Sequence, residues 1–124
     1  MSLPLQLGRY GLVGAVGTAA HYALMGLLMA VFGIAAVAAS TAGAIAGALV
    51  NYVLNYYYTF CSDKHHGEAI VKFWAVAGLG WGVNAAVLAG GLDGLGLAVI
   101  PAQLLATGVV FLLTFVLNRL WTFA

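Results

Sequence analysis

Apolar residues run along this chain in stretches too long for the core of a small water-soluble domain, and the few polar interruptions set the architecture. A helix needs about 20 mostly apolar residues to cross the hydrocarbon of a bilayer. Four segments reach that length, over about 8–32, 36–60, 69–92 and 97–123. Between the first two, Gly33, Ile34 and Ala35 form a tight uncharged turn. Residues 61–68 (CSDKHHGE) are the one strongly polar run, and 91–96 (GLDGLG) read as a glycine-rich turn. Pro4 and Pro101 fall near predicted helix starts, where a missing N–H is tolerated. The first apolar stretch runs well past the ~7–15 residues of a signal-peptide core, so it reads as a span. The predicted fold is an all-α integral membrane protein with four transmembrane helices, in a single domain over 1–124.

The pattern repeats. Residues 53–60 (VLNYYYTF) and 116–123 (VLNRLWTF) agree at five positions of eight, at an offset of 63. The same offset pairs Arg9 with Lys72, Tyr10 with Phe73, Val13 with Val76, Gly17 with Gly80 and His21 with Asn84. The chain therefore reads as two tandem helical hairpins, at about 8–60 and 71–123, expected to be related by a pseudo-two-fold axis along the membrane normal.

Composition supports the membrane and charge adds direction. Of the 124 residues 65% are hydrophobic and 6% charged, with mean hydropathy +1.08, against roughly 25% charged in soluble domains. A formal net charge of +1 with no basic stripe argues against nucleic acid as a partner. Arg9, Lys64, Lys72 and Arg119 are all the Lys and Arg residues, and four spans put them on one side. The positive-inside rule then predicts both termini in the cytoplasm. Cys61 stands alone, which excludes an internal disulfide and a cysteine metal cluster.

Polar residues inside the spans carry the functional information. Asn51, Asn55 and Thr59 share one face at i, i+4, i+8, and Thr114, Asn118 and Thr122 repeat that stripe. His21 lies ~18 Å along its helix from Arg9, close to the bilayer middle, and Asn84 holds the matching place. Together they predict a polar seam running inward from a basic, aromatic rim. Each residue also has a plainer reading. Asn, Thr and His in membrane helices serve as interhelical hydrogen-bond glue, and Arg119 can snorkel while complementing the end of its helix. Arg9 and Lys72, near helix starts, oppose their own dipoles and need another reason, whether anchoring or binding. Gly43 and Gly47, and the series Gly78, Gly82, Ala86 and Gly90, form small-residue faces for close helix contact, within the chain or across a homodimer. The Gly78–Gly82 run lies inside a span with no strand before it, which leaves packing as its role. His65 and His66 read as a solvated pair without further metal ligands.

Absences narrow the function. The sequence has no phosphate-binding GxxxxGK[ST] loop, and Asp63, Glu68 and Asp93 are all expected in loops. That leaves no acid–base pair of carboxylates and no embedded acid to carry a coupling proton. Neither enzyme activity nor a cofactor is expected.

Three motifs resemble a known family: RYGLVG at 9–14, NYVLN with YTF over 51–60, and FVLNRLWTF over 115–123. They are similar, in order and spacing and over nearly the whole chain, to the GtrA-like family. That resemblance implies translocation, or help in translocation, of a polyprenyl-phosphate-linked monosaccharide such as undecaprenyl-phosphate glucose across the bacterial cytoplasmic membrane, for O-antigen or other surface-polysaccharide modification. It also implies glycosyltransferases as partners. In that setting Arg9, Lys72 and Arg119 are candidates to hold the phosphate. Asn51, Asn55, Asn118, Asn84 and His21 are candidates to hydrogen-bond the sugar. Two departures matter: Tyr56 stands where the family has Arg, and Thr114 where it has Asn. The second repeat, with Arg119, is therefore expected to hold the stronger site. A non-transporting partner that recruits a glycosyltransferase is an alternative, as is a small multidrug exporter, although the first span lacks the carboxylate such antiporters need.

Overall fold

The computed structural model describes residues 1–124, the side chain of Val37 excepted. Four helices follow one another: α1 (Leu3–Phe32), α2 (Ala36–Leu54), α3 (His66–Ala89) and α4 (Val99–Leu117). Each of the last three continues into a five-residue π-helical turn, at Asn55–Thr59, Gly90–Gly94 and Asn118–Thr122. No strand is present among the described residues.

The boundaries differ from the sequence expectation most at the starts of α1 and α3, and capping explains both; α4 starts two residues later than expected. α1 begins before residue 8 because the Ser2 hydroxyl accepts the Leu5 N–H at 3.4 Å and Pro4 fits the first turn. α3 begins at His66 because the His65 ring Nδ1 accepts the Gly67 N–H at 3.1 Å. Glu68 consequently lies in the first turn of α3 and not in a loop. Asp93 likewise sits in the π-helical turn that closes α3. The uncharged break at 33–35 is a turn in which Gly33 takes φ = 64°, and Gly96 takes φ = 65° before α4. A side chain at either position would strain the left-handed backbone.

Two compact units result, Met1–Ser62 and Asp63–Ala124, each an antiparallel hairpin. In the first, α1 buries Val13 and Gly17 while α2 buries Ala39, Gly43 and Gly47. A Cβ on Gly43 would lie 2.5 Å from the His21 carbonyl oxygen, and one on Gly47 would lie 2.7 Å from that of Gly17. The two backbones are thus in direct contact, as small residues permit between membrane helices. In the second, Ala69, Phe73, Val76 and Gly80 of α3 face inward, as do Ala102, Ala106 and Phe115 of α4.

Large apolar side chains point away from these thin interiors. Tyr22, Phe32, Trp81 and Ile100 are all exposed by more than half. That inversion is unaffordable in water and natural in lipid. Leu3–Phe32, His66–Gly94 and Val99–Thr122 are long and apolar enough to cross a membrane, with mean hydropathies of 1.6, 1.5 and 2.2. The remaining helix, α2 with its π-helical turn, packs on α1. The chain is an all-α, multi-pass membrane protein.

The backbone contact sets a stability test. Gly47→Ala must push α1 and α2 apart and should cost about 1–3 kcal/mol. Gly78→Ala, where a Cβ meets nothing within 4 Å, should be neutral. Thermal unfolding in detergent micelles distinguishes the two.

Candidate functional site

Both hairpins concentrate polar chemistry where the second helix of the pair ends. The last carbonyls of a helix lack N–H partners and carry the negative end of its dipole. In water they would be hydrated; at a membrane surface a cation serves better. In the first hairpin Arg9 supplies it: Nη1 donates to the Tyr58 carbonyl at 3.0 Å, and the guanidinium lies 4.5 Å from the Tyr58 ring centroid. Arg9 opposes the dipole of its own helix, but α2 is antiparallel and delivers its negative end to the same place. The puzzle of a cation near a helix start is resolved by the neighbouring helix.

The second hairpin divides the same work. Lys64 Nζ donates to the Trp121 carbonyl at 2.7 Å, and Lys72 Nζ lies 5.1 Å from the Trp121 ring centroid. Glu68 links the two lysines, with Oε1 at 2.8 Å from Lys72 and 3.7 Å from Lys64. The adjacent Lys72 ammonium, and then lost hydration, push the Lys64 ammonium below the ordinary lysine range, against the opposite pull of Glu68.

The π-helical turns that these cations meet also bury polar side chains. Asn55 and Thr59 are 3% and 0% exposed, and the Thr59 hydroxyl donates to Asn55 Oδ1 at 2.8 Å. Asn118 and Thr122, their counterparts, are buried equally, and Thr122 Oγ1 has no hydrogen-bond partner. Each hairpin also pairs aromatic rings across its helices, Tyr10 with Phe60 and Phe73 with Phe123. One turn deeper in the first hairpin, Asn51 keeps a buried Oδ1 that no donor reaches. A Cβ on Gly17 would collide with that oxygen, so the glycine makes the hollow that holds it. Thr114, the counterpart of Asn51, is satisfied by donating to the Val110 carbonyl at 2.8 Å.

His21 and Asn84 belong to a second, deeper level. His21 Nε2 and Ser40 Oγ are 3.4 Å apart, joining α1 to α2. Asn84 Oδ1 accepts from Gln103 Nε2 at 3.1 Å, joining α3 to α4, and Gln103 also donates to Thr107 at 3.1 Å. Each of the two thus has a partner across its own hairpin. Arg119 is exposed in the final π-helical turn, next to the buried Asn118.

Sequence reasoning missed Ser40, Gln103 and the joint role of Lys64 and Glu68. The first two were open to discovery, because Ser40 and Gln103 are themselves separated by the repeat offset. Lys64 and Glu68 have no such signal.

The buried Thr59–Asn55 bond makes a second stability test. Thr59→Val preserves shape but leaves Asn55 Oδ1 without its donor, which should cost about 0.6–2 kcal/mol in detergent unfolding experiments. The exposed Thr107→Val should cost less, because Gln103 Nε2 keeps Asn84 Oδ1 as an acceptor.

Residues 9–123 match the family model of the GtrA/DPMS transmembrane domain, from the Arg9 clamp to the last aromatic residue. No curated protein sequence matches closely enough to count as a relative. With the family model covering nearly its full length, the chain belongs to the GtrA/DPMS transmembrane-domain family.

Proposed function

We propose that this protein translocates a polyprenyl-phosphate-linked monosaccharide, such as undecaprenyl-phosphate glucose, across the bacterial cytoplasmic membrane, without catalysing a reaction. In this reading both termini are cytoplasmic and the sugar goes on to modify surface polysaccharide. One observation carries the proposal: in each hairpin a cation lies over an aromatic ring of the π-helical turn that buries an Asn and a Thr side chain. A phosphate needs cations at the membrane surface, and Arg9, Lys72 and the exposed Arg119 are of the right kind. A sugar entering hydrocarbon must replace its bonds to water, at several kcal/mol for each group left unsatisfied. Asn51 has an acceptor oxygen to offer, and Asn55 and Asn118 are buried in the π-helical turns whose carbonyls meet the cations. His21 and Asn84 would serve farther in, by exchanging their present partners. The polyprenyl chain stays in lipid throughout.

The interhelical bonds of His21 and Asn84 also suit the second reading, a scaffold that recruits a glycosyltransferase. Reconstitution separates the two. In proteoliposomes, Arg9→Gln and Arg119→Ala should each slow translocation at least about tenfold, the scale of one charge-assisted hydrogen bond. Wild-type rates from both variants would defeat the site assignment. Intact sugar transfer by a co-reconstituted glycosyltransferase, with no lipid movement by wild type, would favour the scaffold. The reading includes a homodimer, supported by Gly78 and Gly82 of α3 and Gly90 of the π-helical turn after it, around which a Cβ finds open space. A monomeric mass in lipid nanodiscs would count against the dimer.

A further inference from the structure

The two hairpins place a cation on the same ring position but do not neutralise it equally. Arg9 has no carboxylate partner among the described residues; its contacts are a neutral carbonyl and a ring. Lys72 and Lys64 share one carboxylate, Glu68, so two ammonium groups face a single anion. The exposures are uneven as well. The Glu68 side chain is 54% exposed, against 13% for Lys64 and 20% for Lys72. The lysines are held from below, one on the Trp121 carbonyl and the other near the Trp121 ring. Among the described residues Glu68 has the two lysines as its ion-pair partners, and its side chain is more than half exposed.

We propose that Glu68 is a displaceable internal counter-anion: it occupies the Lys64–Lys72 pair in the empty protein and yields it to the phosphodiester of the incoming lipid. This inference rests on the transport reading above and adds how the second hairpin is kept ready. A phosphate linked to both a polyprenol and a sugar carries one negative charge, as the Glu68 carboxylate does. The exchange therefore leaves the local charge unchanged. Swinging out a half-exposed carboxylate costs little, since exposed ion pairs are screened by water and stabilise only weakly. The lysines need not move, because the Trp121 carbonyl and ring already hold them. Arg9 has no such competitor, so the first hairpin meets an anion directly and the second only by exchange. The location of Glu68 in the first turn of α3 also favours the helix dipole. That role explains an acid there, but it does not require an ion pair to two lysines.

Equilibrium binding of undecaprenyl-phosphate glucose to the full chain in nanodiscs tests the exchange. Glu68→Gln should bind the lipid roughly three- to fivefold more tightly than wild type, the scale of one partly exposed ion pair. Adding Lys72→Gln to that variant should abolish the gain. Asp63→Asn removes an equal charge from an exposed neighbouring residue outside the ion pairs, and it should change binding much less. Equal affinity of wild type and Glu68→Gln overturns this inference alone, as does an equal gain from Asp63→Asn. Binding by none of the proteins overturns the transport reading and this inference together. Inorganic phosphate is the parallel probe: tighter binding of it, with no change for the lipid, would rule out the lipid head group as the displacing anion.

Discussion

A helix that ends at a membrane surface leaves carbonyl oxygens that neither lipid nor an N–H can satisfy, and the polar architecture of this protein grows from that constraint. The carbonyls of Tyr58 and Trp121 are the clearest cases, each meeting a cation from elsewhere in its own hairpin. Fixing a cation there fixes the aromatic ring beside it, and with the ring the π-helical turn that carries the buried Asn–Thr pair. The wider winding of those turns ends α2 and α4 with an Asn carbonyl accepting the N–H five residues on, from Phe60 and from Phe123. Turns of this kind interrupt α-helices frequently at functional places.

The same frame has been filled in two ways. Arginine combines a fork of donors with a flat face, so Arg9 bonds the carbonyl and covers the ring at once. Lysine is a compact point charge and cannot do both, which is why Lys64 and Lys72 share the task. Two ammonium groups so placed require an anion, and Glu68 supplies it. Asymmetry also runs the other way within the stripes. Asn51 keeps an unmet acceptor in the first hairpin, whereas Thr114 closes on its own helix in the second. The hairpins end in the same π-helical turn and differ in what they leave available.

Much of this was legible before any coordinates. The four helices follow from apolar length, because hydrocarbon admits helical backbone and little else. Arg9 with Lys72, Tyr58 with Trp121, and Asn55 with Asn118 follow from the repeat offset, which the contacts respect down to His21–Ser40 and Asn84–Gln103. Helix starts were less legible. A cap such as His65 depends on one ring nitrogen meeting one N–H, and a polar run before a helix does not reveal where that occurs. For the same reason Glu68 read as a loop residue.

The sequence by itself determined the solvent, the number of helices, the repeat and the residue types at the rim, since those depend on composition and period. Tertiary structure alone decided what the cations do. Their own helices make Arg9 and Lys72 look misplaced, and they become favourable once an antiparallel neighbour brings its carbonyl end alongside. It also decided which polar atoms are satisfied, because that turns on ångström-scale approach: Gly17 making room for the Asn51 oxygen, and Glu68 lying within reach of two lysines. Periodicity assigns a residue to a helix face, whereas a hydrogen bond needs two faces at a fixed distance, and packing sets that distance.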